Sequence, residues 1–373
     1  MKWIVLILLF TCTFPLFGYI ERDCLFLLLD PSCTNQAIGD NGIGVVNPWN
    51  DTPSAAYMNP AIAAFHKGVS IEFSNSPWYK DFFDNINYRT GIIDFRFKGI
   101  TFVIPSFDMH KRFGNDFDYG TQFITNESGE YFGTFNSYEN AIITGFAYNP
   151  FEIMRNSGNS SPIISHFDLA LGLNQIFINS HIAPPVNGLS SSAGHSNSTN
   201  LGMLIRYDNQ IEKLINCEIV YGLSSFNLFN STIYHVNESQ RDIICDPTNS
   251  GAALSISLLS DQFFDFDQYT LIRNIVSFRY LTAIQSMKSM SAVHTDGFEV
   301  DFLDTVYIRR GNYHDDIDTS GSTSGFGIKL HYKDIMSFNY NRSKNDADEG
   351  VNIYTTDDYN LSFNLMKMIH MFK

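Results

Sequence analysis

The sequence predicts an all-β protein, a closed antiparallel transmembrane β-barrel of about 14 strands with an N-terminal plug segment. Three observations carry that expectation. Most hydrophobic runs alternate large apolar with polar or small residues, as in the closing stretch Tyr359-Asn-Leu-Ser-Phe-Asn-Leu365. The chain opens on an apolar run typical of export. The links between alternating runs fall into short and long ones, as the two ends of an outer-membrane barrel do.

Lys2 precedes an apolar run from Ile4 to Phe10, and small or neutral residues follow to Gly18. A short basic start and a brief apolar core predict a signal peptide over residues 1–18, because the run is too short to span a bilayer. Residues 19–68 do not alternate. Their stretch from Asn41 to Phe65 mixes Gly, Pro and small residues. Irregular backbone at membrane depth must be buried in protein or line water, so this stretch is expected to form a plug or a periplasmic cap.

Residues 69–373 are expected to form the barrel. Candidate strands lie near 69–75, 88–97, 99–107, 138–148, 166–178, 199–207 and 214–224, and then near 249–259, 272–284, 295–303, 304–311, 323–332, 334–342 and 357–367. An even number suits closure, which leaves no unpaired edge in lipid. The link near 149–165 breaks the short–long alternation, and 108–137 reads as one long loop.

Charge parity tests which face meets lipid. Ile93, Phe95 and Phe97 alternate with Asp94 and Arg96; Phe167, Leu169, Leu171 and Leu173 alternate with Asp168, Ala170, Gly172 and Asn174. Phe298, Val300 and Phe302 flank Glu299 and Asp301 in the same way. A charge facing lipid at mid-membrane costs about 2–4 kcal/mol, so these charges are expected to face the lumen. Their mixed signs predict ion pairs across the barrel that close it, not an open pore. A soluble β-sandwich also alternates, but the strand lengths and the two loop sizes favour the barrel.

The net charge of −15 argues against nucleic acid as a partner. The expected surroundings are outer-membrane lipid, in the cell outer membrane of a Gram-negative-type bacterium. Beyond the signal, Cys24, Cys33, Cys217 and Cys245 are candidates for two disulfides in an oxidising compartment. Three connectivities exist; Cys24–Cys33 with Cys217–Cys245 is the local one, and four unpaired thiols are the alternative. No motif for a serine nucleophile, a phosphate loop or a zinc site is present, so neither an enzyme nor a cofactor or metal is expected.

The segment Tyr57-Met58-Asn59-Pro60-Ala61, after a Gly-containing stretch, resembles the N-terminal signature of PorV/PorQ-like outer-membrane proteins, relatives of the FadL-type long-chain fatty-acid transporters. The late run Gly297–Phe302, Tyr307–Tyr313 and Gly325–Leu330 agrees with that resemblance. Departures are the thinned glycines Gly39, Gly42 and Gly44, Ile62 where the family has glycine, and Lys373 at the end in place of an aromatic. The resemblance implies a non-enzymatic partner in type IX-like protein secretion or surface attachment, engaging secreted cargo or other secretion components. Its alternative implication is a FadL-like transporter of hydrophobic small molecules. An apolar pocket beside Tyr57, Met58 and Ile62 would favour transport. Residues 57–61 are then either ligand contacts or an anchor for the plug.

Overall fold

The computed structural model describes residues 22–364, apart from 41, 67, 80–85, 98–99, 106–113, 126–129, 159–160, 183–193, 234–241, 266–270, 289, 316–319, 333–334 and 348–351. The expected signal peptide, Leu365 and Lys373 lie outside the described residues. One antiparallel sheet closes on itself through 14 wall positions. The first seven are β1 (Val69–Pro77), β2 (Asn87–Phe97), β3 in two pieces (Ile100–Pro105 and Gly114–Thr125), β4 (Tyr131–Tyr148), β5 (Phe167–His181), β6 (Gly194–Ile211) and β7 (Ile215–Ser225). The rest are β8 (Thr248–Asp265), β9 (Leu271–Met287), β10 (Met290–Phe302), β11 (Val306–Asp315), β12 (Ser320–Tyr332), β13 (Met336–Ala347) and β14 (Asn352–Phe363). Each pairs with its neighbours in sequence, and β14 returns to β1 with Tyr359 opposite Phe73 and Leu361 opposite Ile71. The expected strand order and number both hold.

Parity sorts the side chains as expected. Outward positions carry an apolar belt, with Phe73, Phe146, Leu201, Ile256, Ile308 and Phe326 all exposed. Inward positions include buried Asp94, Asp168, Glu299, Asp301 and Arg309. A closed barrel with such a belt is stable only with lipid around it, which places the chain in an outer membrane. The belt has a charged rim: on β11 and β13, outward Ile308 and Tyr340 give way toward the long-loop end to Arg310 and Arg342, and Arg342 pairs with Asp357 at 3.8 Å. The inner charges do not pair across the lumen as anticipated. Those described pair between adjacent strands, with Arg309 of β11 on Glu299 of β10 at 2.6 Å and Arg279 of β9 on the same carboxylate, or with the segment that precedes β1, as Lys329 does with Asp51.

Two stretches differ from expectation. Residues 108–137 are not one loop: Gly114–Thr125 and the start of β4 form a tall hairpin, Thr125 opposite Tyr131. The link near 149–165 holds two short helices, α2 (Pro150–Asn156) and α3 (Pro162–His166). Asn149 caps α2 by accepting the amide of Glu152 at 3.0 Å and donates to Asp168 at 2.8 Å, which ties the link to β5.

Residues 22–66 run inside the barrel, through helix α1 (Cys33–Ala37) and four short 3-10 turns. The wall accepts this backbone through glycines: a Cβ at Gly172 would overlap the backbone of Pro60 and Ala61, at Gly222 the carbonyl of Val45, and at Gly297 or Gly311 that of Ile38. Gln36 accepts from Ser343 of β13 at 2.9 Å, and Asp40 accepts from Tyr354 of β14. Contacts therefore reach the segment from every side. It descends from the long-loop end to the short-turn end, since Arg22 and Asp23 pair in parallel with Ile243 and Ile244 in the long link between β7 and β8. Its first described residues thus sit at the end of the barrel that carries the long links.

Candidate functional site

The lumen divides into two unlike halves. Against β9 to β14 the inner face is polar and filled. Lys329 donates to Asp51 of the inner segment at 2.7 Å, and Asn341 bridges Arg309 and Asp358 at 2.9 and 3.1 Å. A cavity of about 20 Å³ lies there, lined by Trp49, Asp51, Tyr307, Arg309 and Lys329 among others. That volume holds about one water and no larger cargo.

Against β2 to β5, toward the long loops, the inner face carries an apolar cluster among buried polar side chains such as Glu139, Asn174 and Ser180. Tyr88, Phe117, Ala141, Ile143, Ile176 and Ile178 all point inward and are buried. They form one cluster with Phe26, Leu27, Tyr57 and Met58 of the inner segment and with Phe226 and Ile244 of the β7–β8 link. Tyr57 donates its hydroxyl to the carbonyl of Leu27 at 2.8 Å and meets Phe226 edge-on, ring centroids 5.7 Å apart. Ile62 belongs to a second apolar cluster just below, with Val45, Ile92, Ala147, Ala170 and Leu204. Tyr57, Met58 and Ile62 are thus buried in two apolar clusters packed by their own side chains, in place of the open pocket that would have favoured transport.

The predicted residues 57–61 bridge these clusters. Asn59 is extended, as the residue before proline must be, at φ −142° and ψ 104°. Its side-chain oxygen accepts the amide of Ala61 at 3.0 Å, and its amide donates to the carbonyls of Val45 at 2.9 Å and Met203 at 3.1 Å. Pro60 opens the 3-10 turn Pro60–Phe65 and lies flat on Gly172. Every polar atom of the Asn59 side chain is engaged by the chain itself, which is the geometry of an anchor. The four cysteines scatter: Cys24 and Cys245 lie together, Cys33 faces the carbonyl of Thr356 at 3.5 Å, and Cys217 sits on the outer face of β7 opposite Ile256.

The feature that sequence reading missed lies in the wall. Ile92 of β2 pairs with Pro105, and the adjacent Gly91 pairs with Gly114. Pro105 and Gly114 therefore stand opposite consecutive residues of β2. On the other side Gly145 of β4 pairs with Val103 and Ala141 with Asn115. Ile142, Ile143 and Thr144 have no rung to β3 among the described residues. Buried Ile143, a member of the upper apolar cluster, stands at this gap. Pro105 was a visible signal, since proline ends a ladder and marks edges or interruptions.

Several solved structures are similar to this chain over most of its length. The CymD monoaromatic hydrocarbon channel is 13% identical, with 90% of this chain and 97% of that one covered at a TM-score of 0.40. The toluene transporter TbuX of Ralstonia pickettii is 11% identical over 91% and 100%, at 0.41, and a FadL homologue of Pseudomonas aeruginosa is 11% identical over 83% and 93%, at 0.33. No family profile matches the chain, and no curated protein matches it either. Likeness at this level says nothing of cargo, so function must be argued from the chain's own geometry.

Proposed function

We propose that this barrel is a FadL-like outer-membrane transporter of hydrophobic small molecules. One observation supports it above the others: the apolar cluster inside the barrel reaches Ile143, where no rung joins β4 to β3 among the described residues. A porin for polar solutes needs a wet, charged lumen, whereas here the charged half is ion-paired and filled. An apolar solute would be held by Tyr57, Met58, Ile143 and Ile176 and would leave sideways between β3 and β4. Because these side chains now fill the space, passage requires the inner segment to shift. Lateral exit suits apolar cargo, which is more soluble in the bilayer than in periplasmic water. No enzyme chemistry is needed. The type IX-like secretion role implied by the PorV/PorQ resemblance would rest on docking at the long loops, and no contact among the described residues favours it.

The test follows from the register. Deleting 106–113 joins Pro105 to Gly114, which already occupy consecutive rungs opposite Ile92 and Gly91. The variant barrel should still shift on a heat-modifiability gel while cells lose uptake of a labelled hydrophobic compound several-fold. Unchanged uptake by a folded deletion variant would refute the lateral route. Unchanged uptake on deleting the whole gene, with surface-anchored proteins lost instead, would favour secretion.

A further inference from the structure

We propose that Cys24 and Cys245 form a disulfide that fastens the outer end of the inner segment to the barrel's β7–β8 link. The register carries the argument. Arg22 pairs with Ile243 and Asp23 with Ile244 in a parallel ladder, so Cys24 and Cys245 are the residues that directly follow the last rung, Cys24 turning away with φ 58°. Neighbouring strands stand about 4.8 Å apart, inside the range of Cα separations that a disulfide spans. The Cys245 thiol already lies 3.4 Å from the Cys24 carbonyl oxygen. Both residues are buried within the upper apolar cluster, beside Phe26, Phe226 and Ile244, where a disulfide is well accommodated and shielded from reductants.

The other two cysteines are excluded by position. Cys33 lies on α1 against the carbonyl of Thr356 in β14, and Cys217 points outward from β7 into the lipid belt, beside Ile256 and Ile219. No lumen cysteine reaches Cys217 through the wall. The local pairings suggested by sequence distance therefore give way to one long-range bond between residues 24 and 245.

The chemistry is thiol–disulfide exchange during export. The thiolate of one cysteine attacks the disulfide of an oxidised dithiol carrier protein of the cell envelope, forming a mixed disulfide and releasing one carrier thiol. The thiolate of the second cysteine then attacks the protein sulfur of that mixed disulfide and displaces the carrier as its dithiol. The two cysteines lose two protons and two electrons, and the carrier gains them. Exchange precedes barrel closure, since both sulfurs are buried afterwards.

The bond fixes a mechanical point that does not depend on what is carried. With its outer end fastened at Cys245 and its inner end continuous with β1, the segment cannot leave the lumen as one piece. Any movement that opens a path must bow the stretch between them away from one wall.

Asp-N digestion separates all four cysteines, into peptides 23–29, 30–39, 208–241 and 242–245. Full-length protein is extracted from outer membranes, denatured, alkylated without reduction and digested. The expected result is one species joining 23–29 to 242–245, two hydrogens lighter than their sum and resolved by reduction, with Cys33 and Cys217 alkylated. A C33S/C217S variant should keep the linked species, and unboiled and boiled forms of it should still differ on a gel. Alkylation of Cys24 and Cys245 in the membrane-extracted protein, or linkage of Cys24 to Cys33, would overturn the proposal whatever the outcome of the uptake experiment.

Discussion

At the scale of the residue, glycine decides how closely the inner segment and the wall approach. Gly297 of β10 and Gly311 of β11 are paired across one rung, and both lie under the carbonyl of Ile38. A side chain at either would occupy the space of that backbone. Forcing extra carbon into a filled site typically costs about 1–3 kcal/mol. Gly311→Val is expected to lower the temperature at which the unboiled, folded band disappears from a gel. Equal melting of Gly311→Val and wild type would show that the segment is not seated there. This pairing was illegible in the sequence, where glycines on a strand read as weak strand formers. Parity did reveal the faces of Asp94, Asp168 and Glu299, because period two fixes inside from outside. It could not reveal partners: Glu299 takes Arg279 and Arg309 from the adjacent strands because those side chains share its height in the wall.

At the scale of the element, regular alternation with an apolar outer face was read correctly, and elements that break this rule were not. The upper piece of β3 puts its aromatic Phe117 inward, above the lipid belt, so its pattern resembles a polar loop. The 149–165 link broke the short–long alternation because it holds two short helices, which carry the apolar Phe151, Ile153, Ile163 and Ile164. The groups that hold that link include the Asn149 cap, the pairs of Arg155 with Asp168 and of Arg96 with Glu152, and Arg155 donating to the carbonyl of Ile164 at 2.7 Å. Loss of a helix cap costs about 1 kcal/mol, which is roughly a fivefold rise in local opening. Asn149→Ala should therefore speed tryptic cleavage after Arg155 by about that factor in protein inserted into vesicles with this face accessible. Cleavage at the wild-type rate would mean that the cap contributes nothing to the link. The motif at residues 57–61 was legible as a unit, but its role was not, because only the folded chain shows Asn59 committed to Val45 and Met203.

At the scale of the whole molecule, the decisive question is which surface meets lipid, and a single outer-face charge can settle it. Ile256 lies on β8 between outward Leu254 and Leu258, and opposite Phe278 on β9 and Cys217 on β7. No outward charge borders it on these three strands, whereas β11 and β13 carry Arg310 and Arg342 at the rim of the belt. Arginine at position 256 would have to hold its charge in hydrocarbon, at a cost of about 2–4 kcal/mol near mid-membrane. Ile256→Arg should lower the folded fraction recovered in lipid vesicles by well over tenfold, while Ile256→Phe should leave it nearly unchanged. In a soluble sandwich the same face would be wet, and arginine there would be harmless. The two architectures therefore predict opposite results from one substitution.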